Sequence, residues 1–282
     1  MAKAAKPRNF TTSVPYIARD PLYQKEKPFS CDFNHGDSIF ARNHKCHPIS
    51  ITVKDIVSPT EFNLDTHGFC VLKANTSVDP ERALANKREI EVSYSQEIEK
   101  LLHENFPEYS RIEMMNVVVR KRDPRYPAPG NSIEVSHEQP AGIPHTDFSV
   151  NGLPLQTELS FPGQWIHLKD MDFDILNLWR PLYGPNDDWP LAVCDYTSVE
   201  DGDIILNDDL HRDRAVENCL LHPNAAHRWH YIAGQTPEDV LVFRTVDSRG
   251  KRARGFHCAV ENPLSPPGQL RSSIEIRVVA IR

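Results

Sequence analysis

Each absence from this chain excludes a class of protein. No run of ~18 apolar residues occurs, the length a helix needs to cross a bilayer. The opening Met1-Ala2-Lys3-Ala4-Ala5-Lys6-Pro7 lacks the apolar core of a secretory leader. The six cysteines (Cys31, Cys46, Cys70, Cys194, Cys219 and Cys258) contain no CxxC pair, and they read as reduced thiols of a cytoplasmic protein. Net charge is −7 with no long basic run, which argues against a nucleic-acid partner. The densest basic stretch holds Arg249, Lys251, Arg252 and Arg254 around Gly250 and the turn-like Asp247-Ser248, a solvated hairpin loop. Neither an internal repeat nor a clean linker is visible. His44-x-Cys46-His47 imitates a zinc cluster, but a closed structural site takes four ligands and no second cluster has matching spacing.

What is present describes an ordinary globular chain of 282 residues, 39% apolar and 25% charged. One domain over residues 1–282 is expected, with three parts. Residues 1–50 are proline-rich and read as an irregular arm. Such an arm can exchange between subunits, which leaves a homo-oligomer open. Asp79 is placed to cap a helix with Pro80 at its first position, and Pro107 to end it, so a helix is expected over 79–106. It carries apolar residues at Leu84, Ile90, Val92, Ile98, Leu101 and Leu102. The twenty-three prolines suit short strands and turns. Strands are expected at Gly68–Leu72, Ile112–Val119, Ile133–Val135, His145–Val150, Asp174–Arg180, Leu191–Cys194, Trp229–Ile232, Val240–Phe243 and Ser273–Ile281. One helical stretch followed by many short strands makes the fold class mainly β: a sandwich or jelly roll over 110–282 with a helix outside.

The strongest chemical signal is His145-Thr146-Asp147. Side chains at i and i+2 of a strand share a face, so a short segment offers an imidazole and a carboxylate together. A third ligand from a distant strand would complete a two-His-one-carboxylate set with open positions. His211, His222, His227, His230 and His257 are the candidates. His257 stands in Gly255-Phe256-His257-Cys258-Ala259-Val260, and fourteen residues later Arg271-Ser272-Ser273 opens the last strand. A guanidinium there can bind a carboxylate bidentately, and Ser273 shares its face. His227 is the competing third ligand, but Arg228 beside it is too close in sequence to serve as such an anchor.

His145-x-Asp147, then His257, then Arg271-x-Ser273 resembles the Fe(II)/2-oxoglutarate-dependent oxygenases. The resemblance implies a double-stranded β-helix, with Fe(II) on His145, Asp147 and His257. It further implies 2-oxoglutarate anchored by Arg271 and Ser273, O2 as co-substrate, and ascorbate as a reductant in vitro. Arg271-Ser-Ser-Ile-Glu-Ile-Arg277 is also similar to the paired-arginine last strand of the nucleic-acid demethylating members. That likeness places Arg277 at the metal-bound end of 2-oxoglutarate. A narrower resemblance, carried by Asn177-Leu-Trp-Arg-Pro181, Asp188-Trp-Pro-Leu-Ala-Val-Cys-Asp195, His227-Arg-Trp-His-Tyr231 and Asp247-Ser248, is to the hydroxylase/desaturase enzymes of fungal and bacterial secondary metabolism. Gibberellin desaturases and the cephalosporin 7-methoxylation subunit belong to that group.

The implied activity is hydroxylation, desaturation or oxidative cyclisation of a small natural-product or amino-acid-like substrate, yielding succinate and CO2. Asn177, Trp179, Arg180, His227, Trp229 and Tyr231 are candidate substrate-binding residues. Arg180 needs a partner if buried, either Asp195 or a substrate carboxylate. Two other readings stay open. One is a non-catalytic accessory subunit that binds a biosynthetic enzyme; the other is a metal-dependent hydrolase on a similar barrel.

Overall fold

The structure, a computed structural model, describes residues 8–31, 41–127, 135–268 and 270–282. Strands β1 (Phe10–Ile17), β2 (Phe29–Cys31) and β3 (Cys46–Asp55) come first, then helix α1 (Leu64–His67) and β4 (Phe69–Lys73). Helices α2 (Pro80–Ala85) and α3 (Glu91–Asn105) precede β5 (Arg111–Lys121), β6 (His145–Thr146), α4 (Leu153–Ser160) and α5 (Trp165–Leu168). Strands β7 (Phe173–Pro181), β8 (Leu191–Cys194), β9 (Ile204–Leu210) and β10 (Ala215–Leu221) follow. The last are β11 (Trp229–Tyr231), β12 (Asp239–Asp247), β13 (His257–Ala259) and β14 (Ser272–Ile281).

Among the described residues the strands form two facing sheets, the jelly-roll architecture the composition implied. The smaller is ordered β4-β12-β7-β14-β5 and the larger β1-β3-β11-β8-β13-β6-β10-β9-β2. Period-two alternation decides which side chains meet between them. In the smaller sheet Leu176, Leu178, Ile274, Ile276, Val240 and Val242 face outward, onto Tyr94, Ile98, Leu101 and Leu102 of α3. The alternate positions face inward as two rows read from the register. Phe243 is opposite Asn177, which is opposite Arg277; Leu241 is opposite Trp179, which is opposite Glu275.

The larger sheet has a second apolar face. Cys194, Cys219, Trp229, Tyr231 and Cys258 there are covered by Phe10, Val14 and Tyr16 of β1 and Val53 of β3. Its inward face carries a row in which His230 is opposite Val193, Val193 opposite His257, and His257 opposite His145.

Several expectations change. Residues 10–17 and 46–55 are not an irregular arm; the whole of β1 pairs antiparallel with residues 46–53 of β3, and β3 pairs parallel with β11. The proline-rich texture concealed them because Pro15 and Pro48 sit opposite each other within the ladder. The helix expected over 79–106 starts as read, with the Asp79 side chain accepting from Arg82 N, a cap worth about 1 kcal/mol. It breaks at Asn86, whose extended backbone (φ −158°) and side chain start a separate 3-10 turn over Lys87–Glu89. Val92 is 70% exposed, on the solvent side of α3. The strand expected over His145–Val150 ends at Thr146, so Asp147 stands just past the ladder. Ile133 and Glu134 lie outside the described residues, and Val135 is in no strand. The six cysteines are free. Among the described residues no helix is long and apolar enough to cross a membrane.

Candidate metal centre

Three residues from three parts of the chain converge between the sheets. His145 and His257 are opposite one another in the β6–β13 ladder, with ring centroids 4.3 Å apart. Asp147 Oδ1 lies 3.4 Å from His145 Nε2 and 3.7 Å from His257 Nε2. One ligand atom from each of the three lies within 4.8 Å of the others. His230, His222 and His227 are elsewhere, so of the histidines weighed as third ligand the geometry selects His257.

The tautomers suit a cation. His145 Nδ1 is 2.7 Å from Ile143 O, and His257 Nδ1 is 3.1 Å from Gly255 O. A carbonyl only accepts, so each Nδ1 carries a proton and Nε2 is the nitrogen left to ligate a metal. Burial, reinforced by His145, pushes His257 down to about 3, which keeps it neutral. Burial opposes ionisation of Asp147, but Arg277 and the two imidazoles hold it well below the usual carboxylate range. Burial also presses on His145, yet its hydrogen bond and charge interaction with Asp147 raise it overall. Two imidazole nitrogens and one anionic oxygen, clustered and oriented by backbone carbonyls, fit a divalent first-row metal and leave positions open.

The other oxygen of Asp147 is clamped. Asn177 Nδ2 donates to Oδ2 at 2.6 Å and Arg277 Nε donates to it at 2.7 Å. Thr245 fixes the asparagine by donating to its Oδ1 at 2.9 Å. Asp147 thus turns Oδ1 toward the histidines. Asn177, expected at the substrate, is a support for Asp147.

A cavity adjoins the three ligands, lined also by Arg120, Trp179, Arg271, Glu275 and Arg277. Arg271 is 2% exposed, with its guanidinium 4.9 Å over the Trp179 ring. Its Nη1 donates to Trp189 O at 2.7 Å, its Nε to Ser273 Oγ at 3.4 Å, and its backbone N–H to Asp188 Oδ2 at 2.8 Å. Trp189 adopts a positive φ of 44°, uncommon for a non-glycine residue, and its carbonyl is held by Arg271. Burial, with Arg120 adding to it, makes the Arg271 cation costly, and an incoming carboxylate would offset both costs. Two residues of strand separate Arg277 from Glu275 and two more reach Ser273, about 13 Å in all. The cavity therefore has the three candidate ligands at one end and the Arg271 guanidinium at the other, with Trp179 beside the path.

Four expected substrate residues are elsewhere. Arg180 points outward, one residue out of phase with Asn177 and Trp179. It pairs with Glu97 at 3.2 Å and lies over the Tyr94 ring, and neither Asp195 nor the cavity is its partner. Asp195 is taken by Arg228 at 2.9 Å. Trp229 and Tyr231 point to the apolar back of the larger sheet. Trp229 Nε1 donates to Tyr16 Oη at 2.7 Å, and Tyr231 Oη donates to Arg8 O. His227 bridges Tyr16 and Asp203 on that same side. Trp179 alone of the six lines the cavity without touching Asp147. Sequence reading passed over Glu275 and Thr245. For Glu275 a signal existed: Ser273, Glu275 and Arg277 alternate with the apolar Ile274, Ile276 and Val278.

Fold and site together define a jelly roll with a buried two-histidine, one-carboxylate cluster that could hold a metal ion, beside the buried cation of Arg271. The chain belongs to the Oxidoreductase/YMDC permease-like domain family, whose model matches residues 14–281. It is 25% identical to Hydroxylase/desaturase efuI of Hormonema carpetanum over 266 residues, 87% of this chain and 88% of that protein. It is 34% identical to Aspirochlorine biosynthesis protein N of Aspergillus oryzae over 109 residues, which are 36% of this chain and only 45% of that protein. A solved variant of the iron and alpha-ketoglutarate-dependent endoperoxidase NvfI superposes with a TM-score of 0.85, at 21% identity, over 99% of both chains. That likeness establishes the shared fold.

Proposed function

We propose that this chain is a non-haem Fe(II)/2-oxoglutarate-dependent oxygenase acting on a small organic substrate, organised as a single domain. The observation that carries the reading is the pairing of the His145–Asp147–His257 cluster with Arg271 across one cavity. Relatives named as hydroxylase/desaturase, and the fold shared with an iron and alpha-ketoglutarate-dependent endoperoxidase, point the same way. His145 Nε2, Asp147 Oδ1 and His257 Nε2 would hold Fe(II). Arg271 and Ser273 would take the far carboxylate of 2-oxoglutarate, with Trp179 beside its methylenes. When bound, iron with 2-oxoglutarate and O2 supplies the oxidising power, with succinate and CO2 as co-products.

The protein's own contribution is geometric and electrostatic. Ile143 O and Gly255 O set the imidazole tautomers. Asn177 and Arg277 fix the carboxylate, and the buried walls exclude water from the metal side. Substrate position then decides between hydroxylation, desaturation and cyclisation, because a displacement of about 1 Å is worth ~10²-fold in rate. A small natural product or modified amino acid is the substrate class. We place the protein in the cytoplasm, a compartment that suits six free cysteines. An accessory subunit without chemistry of its own would have no use for an intact ligand set with both tautomers fixed.

The test is aerobic incubation with Fe(II), ascorbate and 2-oxoglutarate. Succinate formed by the wild type and not by Asp147→Ala supports the reading; equal succinate from both refutes it.

A further inference from the structure

Glu275 is a buried acid for which the proposed reaction has no use. It is 7% exposed, on the inward face of β14, and it lines the cavity beside Trp179 and Arg271. A carboxylate is an odd wall for a cavity that is to receive a dicarboxylate, since an unpaired buried charge is expensive and like charges repel. Its neighbour explains it. Arg277, two residues on along the same face, places Nη2 2.7 Å from Glu275 Oε1 while its Nε meets Asp147 Oδ2, also at 2.7 Å.

We infer that Glu275 is a positioning residue: by holding one side of the Arg277 fork it fixes the other side on Asp147 Oδ2, and so aims Oδ1 at the metal.

The geometry explains why a second acid is needed. Arg277 is a long side chain, and a guanidinium with one partner swings about that contact. A hydrogen bond to Asp147 at Nε and a second negative charge beside Nη2 pull the guanidinium toward one orientation. Asn177 fixes Asp147 Oδ2 from the other side, so the oxygen is held between two donors. The Glu275–Arg277 contact is an ion pair without an aligned hydrogen bond at Oε1. Charge is therefore what Glu275 supplies, and Glu275→Gln removes it while preserving shape. Supports of this kind are typically worth about 10–100-fold in metal affinity.

The inference rests on the metal-site reading and is tested without turnover. Mn(II) binding to wild type, Glu275→Gln, Arg277→Met and the double variant is measured from the electron paramagnetic resonance signal of free Mn(II), with thermal melts alongside. Glu275→Gln is expected to bind Mn(II) about tenfold more weakly with its melting point nearly unchanged. Arg277→Met is expected to lose at least as much, and the double variant no more than Arg277→Met alone, since Glu275 acts through Arg277. Should Arg277→Met not fold, Arg277→Lys takes its place in the cycle. Wild-type affinity in Glu275→Gln, or losses that add in the double variant, would overturn the inference while leaving the metal site standing. A wild type that bound no Mn(II) would overturn both.

Discussion

His145 and His257, separated by most of the core in sequence, stand directly opposite one another across the β6–β13 ladder, with ring centroids 4.3 Å apart. One strand register therefore sets the distance between two of the three ligands. Because side chains alternate, a slip of one residue in that ladder would send His257 to the apolar back of the sheet. The third ligand follows His145 by two residues, past the end of the strand, where hydrogen bonds from Asn177 and Arg277 define its direction.

Removing the carboxylate should remove the site. Asp147→Ala is expected to bind no Mn(II) at concentrations that saturate the wild type, and to form no succinate from 2-oxoglutarate. Measurable succinate above a metal-only control would contradict the ligand assignment.

Arg271→Ala should weaken 2-oxoglutarate and spare the metal. Loss of a charge-assisted anchor to a buried carboxylate is worth about 2–5 kcal/mol, so a rise in Kd of more than tenfold is expected, with Mn(II) affinity kept. Calorimetric titration of the Mn(II)-loaded variant reads both. Unchanged 2-oxoglutarate affinity would remove Arg271 from the site.

Asn177→Ala separates support from substrate contact. With Asn177 Nδ2 on Asp147 Oδ2, the variant should lose about 10-fold or more in metal affinity, without substrate present. Normal metal binding, with a defect only toward substrate, would return Asn177 to the pocket wall.

Arg180→Ala should be a stability variant. Arg180 is 1% exposed and paired with Glu97, outside the cavity. Breaking such a pair leaves a charge without its partner and costs about 3–5 kcal/mol, while Mn(II) and 2-oxoglutarate affinities of the folded fraction stay as in wild type. Urea unfolding and the same titrations check both halves.

His230 predicts a pH dependence. Its Nε2 is buried without a partner, beside Phe62 and Phe69. Burial lowers it to about 4, while an unfolded chain takes that proton near 6.5. Protons thus favour the unfolded state between those values, and stability falls as pH drops from about 6.5 toward 4. His230→Phe should remove that loss, making stability about 2 kcal/mol less sensitive between pH 7 and pH 5. Parallel wild-type and variant curves would contradict the assignment.

Motif and strand type were legible in the sequence because both are local. His145-x-Asp147 and Arg271-x-Ser273 each occupy three residues, and β8 and β14 announce themselves by apolar, β-branched runs. Direction was harder to read. Asn177, Trp179 and Arg180 are adjacent in sequence, yet the phase of β7 sends the first two inward and Arg180 onto α3. Trp229 and Tyr231 flank His230, and the larger sheet has an apolar face on each side of that alternation, so polarity alone did not tell back from front. The N-terminal strands were hidden for a related reason: β1 is an edge strand and β3 meets β11 only over residues 53–55, so both tolerate proline, and β11 lies far along the chain. Glu275 was missed because an acid in a strand reads as solvent-facing until both neighbouring strands are in place.

On the proposed reading, His145, Asp147, His257 and the Arg271 guanidinium build one site for Fe(II) and 2-oxoglutarate. The most direct measurement is anaerobic addition of Fe(II) and then 2-oxoglutarate, followed by visible absorption. A broad charge-transfer band that appears only with both, and is lost in His257→Ala and Asp147→Ala, is the predicted result. No band in the folded wild type, or a band unchanged in His257→Ala, would contradict it.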